Sequence, residues 1–291
     1  MRRLGIAAVL ALVGVSASAL ALSPGAGSPP PGLPAAAGSM LLPGAANAVG
    51  THAARWRSDL AVKNPGVQPV EVRVLFLRSG SPNDLATAAH KDYFLMAGET
   101  KEFRNVLGTE LGLSGTGALL LTTSKAIFPN NPEDAGIQAW MRTATPRLYV
   151  QGDAPADAGS PVPPAQPTDA ARQLVSGLMH EGFGDQGSRG AVGAVNLSKT
   201  QGLTLRIEYF ERDGEVLETA TLHLPPLGNA QQTVPVRLSS GSARFLRVDG
   251  SGPYVAFATN VDNGTGEASF TYAVPEPGQP ETARAVVVGG D

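Results

Sequence analysis

The strongest constraint on the fold of this chain is a two-residue alternation of apolar and polar side chains. The segments VEVRVLFL (70–77) and LTLRIEYF (203–210) place an apolar residue at every second position. This period is typical of a β-strand with one buried face. A helical period over ten or more residues occurs in one candidate, DAARQLVSGLM (169–179). The alternation therefore predicts an all-β protein.

Turn-forming stretches such as NPG, RDGE and DNGTGE separate the strand-like segments in both halves of the chain. About six to eight short strands at this spacing indicate an antiparallel β-sandwich in each half. The remaining strand candidates are ALLLTT and IQAWMRT in the first half, and ATLHL, ARFLRV, YVAFATNV and ASFTYAV in the second.

The two halves align on each other at several landmarks. Asn64 and Asn196 differ by 132 positions, and each ends a strand-like segment. An asparagine at such a place can bond the following backbone groups and close a turn. The alignment predicts an internal duplication that produced two tandem immunoglobulin-like (Ig-like) antiparallel β-sandwich domains. The same offset pairs Leu42 with Leu174, Gly50 with Gly182, Arg57 with Arg189, Leu60 with Val192 and Val62 with Ala194.

Segments rich in Pro, Gly and Ala bracket these two bodies at 23–39, 151–170 and 275–284. Such segments bury too little apolar surface to offset the entropy of ordering them. We therefore predict a signal peptide at 1–21, a linker at 22–39, a β-sandwich domain at 40–148, a linker at 149–170, a second β-sandwich domain at 171–274 and a flexible C-terminal tail at 275–291.

The first residues have the pattern of an export signal. Arg2 and Arg3 precede a short apolar core (4–15), and the small-residue cleavage sites ASA and ALA follow at 17–21. This core is shorter than the roughly 20 apolar residues of a membrane-spanning helix. We expect an exported protein, periplasmic or extracellular, without a membrane span. Because the chain has no cysteine, we expect neither disulfides nor lipid attachment at a cysteine.

The charge balance disfavours two classes of partner. Without Arg2 and Arg3, 20 basic and 25 acidic side chains remain, a net charge of −5. Nonspecific nucleic-acid binding requires clustered basic residues, and docking on an anionic membrane surface requires them as well. We therefore expect neither partner.

Two motifs carry a resemblance to a known group. WRSDLAVKNPG (56–66) and VDNGTGE (261–267) resemble the opening and closing signatures of repeated β-sandwich modules in secreted, largely uncharacterised bacterial proteins. The resemblance spans both halves, since the first carries the opening and the second the ending. It implies tandem Ig-like sandwiches but no particular activity, because folds of this kind host many functions.

The closing motif is the candidate metal site. Asp262, Asn263, Thr265 and Glu267 offer oxygen ligands of the kind that calcium prefers. Asn263 followed by glycine is also a strong signal for a tight hairpin turn. An EF-hand loop needs more acids and a longer frame, so we favour the turn and predict no metal and no cofactor.

The two tryptophans have different expected places. Trp140 lies in an apolar strand segment and is expected in the core. Trp56 lies between Arg55 and Arg57 at the start of a strand. If it is exposed, its ring can stack on a sugar with the arginines as further contacts. These three residues are the candidate ligand-binding site.

The sequence contains no recognisable catalytic motif. Its four histidines are scattered, with no His-x-x-x-His pair and no Gly-x-Ser-x-Gly elbow. We therefore predict no catalytic residues and a non-catalytic structural or binding module, whose partner is a protein or polysaccharide of the bacterial envelope or extracellular space. Two alternatives remain open. One is a carbohydrate-binding protein that uses Trp56 and its neighbouring arginines. The other is a hydrolase with its site in the long loops 78–92 and 128–136.

Overall fold

The computed structural model describes residues 38–50, 54–124, 136–146, 157–182, 187–211, 213–264 and 268–276. Within these ranges the chain is all-β, as predicted, and its one helical element is the short π-helical turn Val106–Glu110. The predicted signal peptide, most of the first linker and nearly all of the C-terminal tail lie outside the described residues. In the described part, no helix has the length and apolar character needed to cross a membrane.

Strands β1 to β8 belong to the first half of the chain, and β9 to β17 belong to the second. The first half contains β1 (Ser39–Val49), β2 (Arg55–Lys63), β3 (Val70–Arg78), β4 (His90–Leu95), β5 (Thr100–Phe103), β6 (Gly115–Ser124), β7 (Gln138–Pro146) and β8 (Asp157–Val162). The second contains β9 (Arg172–His180), β10 (Ser188–Asn196), β11 (Leu203–Phe210), β12 (Val216–Leu224), β13 (Asn229–Thr233), β14 (Leu238–Asp249), β15 (Tyr254–Asp262), β16 (Ala268–Tyr272) and β17 (Val274–Pro275).

The segments that alternate most regularly form strands where predicted. VEVRVLFL lies in β3, and LTLRIEYF is β11. The alternate side chains Val72, Val74, Leu205 and Ile207 are fully buried. Local alternation therefore identified the face of each strand that points into the core of its own half.

The helical candidate at 169–179 is wrong, because most of it is strand β9. Gly177 has a φ of 77° and is the extra residue of a bulge in the pairing with β14. A bulge inserts one residue into the alternation. Val175 and Leu178, three positions apart, consequently both face the core of the second half. In the sequence, that spacing resembles a helical period.

Both halves pair their strands in the same order. In the first half, β4-β3-β6-β1 lie side by side, as do β5-β2-β7-β8. In the second half, β12-β11-β14-β9 and β13-β10-β15-β16 repeat this order, with β17 added beside β9. The end of β1 also pairs with β2, which joins the two layers of the first half into one curled sheet.

The central strand pairs of each sandwich match an immunoglobulin domain, whereas the outer strands differ. The pairs β2–β5 and β3–β6 correspond to the immunoglobulin pairs B–E and C–F. The first strand, however, lies mainly beside β6, and the seventh lies beside β2. These two strands occupy the opposite layers from those of the immunoglobulin fold.

Asn64 and Asn196 make matching hydrogen bonds at the ends of β2 and β10. Both side chains are fully buried. Each amide oxygen accepts the N–H of the residue two positions later, at 2.9 Å. Each amide nitrogen donates to three backbone carbonyls, and so ties its strand end to a later loop. The acceptors are Gln68, Leu95 and Met96 for Asn64, and Gln201, Leu224 and Pro225 for Asn196.

Each sandwich encloses its own apolar core. Leu60, Val74 and Leu119 belong to the core of the first half. Leu205 and Phe245 belong to the core of the second. Burial of such side chains stabilises a fold by about 25 cal/mol per Å² of apolar surface, so each core contributes substantially.

A third apolar layer joins the two halves. Leu75, Leu77 and Leu120 point to the side of β3 and β6 that faces away from the first core. Val255 and Phe257 of β15 belong to the same buried cluster and are 2% and 3% exposed. These strands are therefore buried on both faces, and the halves pack against each other through a shared layer.

The predicted inter-domain linker takes part in this packing where the structure describes it. Asp157–Val162 forms strand β8, which pairs with β7. The Ala165 N–H donates to the Leu41 carbonyl at 2.8 Å, and Thr168 forms a β-bridge with Tyr254. Backbone pairing does not require large apolar side chains, so a Pro- and Ala-rich composition is compatible with this ordered path.

The loop between β3 and β4 also connects the halves, through bonds that we call the inter-half clasp. The Gly80 N–H donates to the Asn229 carbonyl at 2.8 Å. Asn229 Nδ2 donates to the Leu77 carbonyl at 2.8 Å, and Asn83 Nδ2 donates to the Leu227 carbonyl at 3.0 Å. The clasp therefore joins the C-terminal end of β3 and the following loop to the start of β13.

We expect Asn229→Ala to lower the free energy of unfolding by about 1–3 kcal/mol, because the buried hydrogen bond from the Asn229 side chain to the Leu77 carbonyl is lost. Denaturant unfolding measures the change. The matched control is Gln231→Ala in the same strand, where the exposed side chain predicts a change within about 0.5 kcal/mol. Equal small effects of both substitutions would contradict a stabilising role of the clasp.

Candidate functional site

A cavity of 380 Å³ lies at the seam between the two halves, and we call it the seam cavity. Its volume falls in the range of about 300–1,000 Å³ that is typical of small-molecule sites. The wall combines aromatic rings, small residues and polar side chains from both halves. The lining includes Gly44, Trp56, Thr143, Arg189, Gln231 and Phe270.

Trp56 contributes one aromatic part of the wall. It is half-buried near the start of β2 and pairs with Ala48 of β1. A Cβ atom on Gly50 would lie 2.6 Å from the indole Nε1. Gly50 thus allows the indole to lie directly against the backbone, an approach that a larger residue would block.

The arginines beside Trp56 in sequence are not among the described lining residues. Successive side chains of a strand point to opposite faces, so Arg55 and Arg57 leave Trp56 on the other side. The structure brings Arg189 to the seam cavity instead. Of the three predicted ligand contacts, it therefore places Trp56 at a concave site and separates the other two from it.

Phe270 of β16 is a second aromatic residue of the wall. Its ring stacks on Phe257, with centroids 5.0 Å apart and an interplanar angle of 19°. Tyr272 meets the same ring edge-on. A Cβ atom on Gly44 would lie 3.3 Å from the Phe270 ring. The bulge in β1 at Gly44, which has a φ of 76°, therefore brings backbone close to this aromatic stack.

Hydroxyl and amide groups supply the neutral polar part of the wall. Thr143 Oγ1 donates to the Gly44 carbonyl at 2.9 Å and lies 2.7 Å from Ser58 Oγ. Gln231 Nε2 donates to Thr259 Oγ1 at 2.8 Å. These bonds orient the side chains, and the amide oxygen of Gln231 is a further acceptor for a ligand hydroxyl.

Arg189 is the one charged side chain among the described lining residues. Its Nη1 donates to Asn263 Oδ1 at 2.6 Å, and Asn263 Nδ2 donates to the Gly182 carbonyl at 3.0 Å. Burial lowers the pKa of the Arg189 guanidinium from its usual value. Within the described ranges, the ion pairs involve other arginines and lysines, and none joins a carboxylate to Arg189.

Two of the four candidate metal ligands, Asp262 and Asn263, lie in the described residues. Asn263 uses its amide oxygen to bind Arg189, and Asp262 ends β15. Thr265 and Glu267 lie outside the described residues. A guanidinium at the Asn263 oxygen repels a second cation, so this arrangement favours the turn. No group of three or more metal-binding side chains occurs in the described part of the chain.

The described histidines lie in separate environments. His180 is buried, and its Nδ1 accepts the Gly190 N–H at 3.1 Å. Burial lowers the pKa of His180 and so favours the neutral ring that can accept this bond. His90 and His223 are exposed, and His52 lies outside the described residues.

Of the two loops predicted for a hydrolase site, the structure describes the first in full and little of the second. The described loop 78–92 forms the inter-half clasp and packs Leu85 and Ala88 against the third apolar layer. Most of the loop 128–136 lies outside the described residues. Convergence of carboxylates from both loops therefore stays a prediction.

Trp140 is buried, as expected, but not in the core of the first half. Trp140 is 4% exposed and packs with Ala61, its cross-strand partner on β2. Its strand neighbours Ala139 and Met141 face the core instead. The two tryptophans of this half therefore lie in different surroundings: Trp56 lines the seam cavity, whereas Trp140 is buried against Ala61.

Sequence reasoning missed Arg189 and Phe270 as residues of the site. The repeat offset of 132 positions pairs Arg189 with Arg57, which was a predicted ligand contact. That pairing is the sequence signal by which Arg189 could have been added to the candidate site. Phe270 carries no such signal, because its place in the wall depends on the packing of β16 against β8 and near Gly44.

The comparisons with known proteins assign no family. No family model matches the chain, and no curated protein matches it. One solved structure with limited similarity is described as "Crystal structure of the T13 IBDV viral particle reveals a missing link in icosahedral viruses evolution". It has 11% sequence identity and a TM-score of 0.19, over 84% of this chain and 76% of that chain. A TM-score this low carries no argument about fold or function.

Proposed function

We propose that this protein is an exported, non-catalytic binding module of the bacterial envelope or extracellular space, with its ligand site in the seam cavity. The observation that carries the proposal is the cavity itself, which has the volume of a small-molecule site and joins aromatic, amide and hydroxyl groups. Export rests on the N-terminal sequence pattern.

The two sandwiches supply a rigid frame for this site. The shared strand order and the matching bonds of Asn64 and Asn196 support the origin of the frame by internal duplication. Because the cavity uses different residues from each half, the duplication forms one composite site rather than two equal ones. We therefore expect no gain of avidity from two identical sites.

Within this function, a saccharide is the ligand class that the wall favours. Trp56 offers an aromatic face of the kind that packs on the apolar side of a sugar ring. Gln231 and Thr143 place amide and hydroxyl groups in the same cavity, where they can bond sugar hydroxyls. A polysaccharide of the envelope thus fits better than a purely apolar ligand.

Saccharide binding predicts that a matching oligosaccharide alters the fluorescence of Trp56. The Trp140→Phe background leaves Trp56 as the sole tryptophan, so its emission reports on the seam cavity. We expect Trp56→Ala to weaken binding at least tenfold, about 1.4 kcal/mol, while Trp56→Phe retains part of the affinity. The measurement is a calorimetric titration with a panel of neutral and acidic oligosaccharides.

Three results would contradict the proposal. No member of the panel binds, or Trp56→Ala binds as tightly as the unmodified chain. Alternatively, product analysis after the titration finds a bound oligosaccharide cleaved, which would favour the hydrolase.

A further inference from the structure

We infer that the seam cavity selects saccharides that carry a carboxylate, with Arg189 as the residue that pairs with this group. The inference rests on the proposed saccharide-binding function and names the ligand class more narrowly. It starts from a charged side chain in a wall that is otherwise aromatic, small or neutral.

The position of Arg189 in the wall suits an anionic group on a ligand. A half-buried guanidinium is costly to desolvate unless an opposite charge or several acceptors compensate it. The described structure provides one side-chain acceptor, Asn263 Oδ1 at 2.6 Å from Nη1. Arginine has five N–H donors, so most of them remain for other acceptors. A carboxylate in the cavity would satisfy two donors at once in a bidentate pair.

Asn263 orients the guanidinium for that role. Its amide oxygen accepts from Arg189, while its amide nitrogen donates to the Gly182 carbonyl at 3.0 Å. The Asn263 N–H also donates to the Gly187 carbonyl at 2.9 Å. Because these two bonds to other residues fix the asparagine, its amide oxygen holds the arginine in one direction. Asn263 is accordingly a positioning residue, whereas Arg189 would touch the ligand.

The rest of the wall favours an acidic sugar over a carboxylate of another class. Trp56 and Phe270 line the cavity together with Gln231 and Thr143, so that aromatic faces and hydroxyl-binding groups lie beside the charge. A uronic acid presents all three features that these groups recognise: an apolar ring face, hydroxyls and a carboxylate. A peptide C-terminus presents the carboxylate without the hydroxyls.

The test compares matched acidic and neutral oligosaccharides on the full chain. Calorimetry measures the affinity for galacturonate, glucuronate and mannuronate trisaccharides and for the corresponding neutral trisaccharides. We expect at least one acid to bind tenfold or more tightly than its neutral partner. Arg189→Gln should bring the two affinities together, while Arg189→Lys should keep a reduced preference, since lysine retains charge without the planar fork.

Arg206→Gln is the matched charge control. Arg206 pairs with Glu208 at the surface and is not among the described lining residues, so the acid preference should survive its removal. Thermal melting of each variant verifies folding, and Arg189→Lys keeps the test valid if Arg189→Gln melts early.

Each outcome has a defined meaning. If neutral and acidic sugars bind equally and Trp56→Ala abolishes both, the inference is overturned while the proposed function stands. Persistence of the acid preference in Arg189→Gln also overturns it. If free-acid peptides bind through Arg189 and no sugar binds, the ligand class is wrong. If no trisaccharide and no peptide binds, the inference and the proposed saccharide function both fail.

Discussion

Replacing Asn64 or Asn196 with alanine should lower the free energy of unfolding by about 3 kcal/mol or more, since each buried, unpaired polar group costs about 1–3 kcal/mol. Each side chain is fully buried and bonds three carbonyls and one N–H. Alanine removes all four bonds at once and leaves several backbone groups without their partner. Denaturant unfolding followed by circular dichroism measures the loss.

Two further variants sharpen this prediction. Asn64→Asp keeps the shape but turns a second oxygen towards carbonyls that need a donor, so it should be at least as harmful as alanine. Asn47→Ala removes a half-buried amide that donates one side-chain bond, to the Leu113 carbonyl, and should cost about 1 kcal/mol. If Asn64→Ala and Asn47→Ala lowered the free energy of unfolding equally, the four hydrogen bonds of Asn64 would not stabilise the fold more than the single bond of Asn47.

The second large effect concerns the layer between the halves. We expect Phe257→Ala to destabilise the protein by about 3–5 kcal/mol, because it removes a large side chain from a buried layer. Both tryptophans lie in the first half, whereas Phe257 lies in the second. The substitution should nevertheless shift the unfolding midpoint seen by tryptophan fluorescence together with that seen by circular dichroism, since the halves share the layer.

Leu77→Ala tests the same layer from the first half, with an expected loss of about 2–5 kcal/mol. Because both residues belong to one buried cluster, the double variant should lose less than the sum of the two single losses. Two separate transitions, with the fluorescence midpoint unmoved by Phe257→Ala, would mean that the halves unfold independently. In that case the third layer would not couple them.

Much of the strand pattern could be predicted from local sequence. Alternation in β3 and β11 identified both strands and the faces that point into the two cores, because side-chain direction in a strand depends on the parity of the position alone. The bulge at Gly177 defeated the same reasoning in β9, since one extra residue resets the parity.

The third layer had a signal that alternation does not capture. ALLL (118–121) and YVAFA (254–258) are continuous apolar runs, which are typical of strands buried on both faces. A run of this kind indicates that something covers the second face, but it does not identify the cover. Only the packing of β15 against β3 and β6 does so.

The candidate site was likewise predicted only in part from the sequence. Trp56 was nominated from its place at a strand start, and the structure locates it on a concave surface. Arg55 and Arg57 were grouped with it because they are adjacent in the chain. Adjacency in a strand means opposite faces, so this grouping contradicted the very period that predicted the strand.

By itself, the sequence determined that the chain forms strands, where most of them lie, and that asparagines close equivalent strand ends. These properties follow from interactions between residues that are close along the chain. The tertiary structure alone decided that the outer faces of the two sandwiches cover each other, and that Trp56 and Arg189 line one cavity. Those features depend on contacts between residues more than a hundred positions apart, and no local period encodes which distant surface a strand will meet.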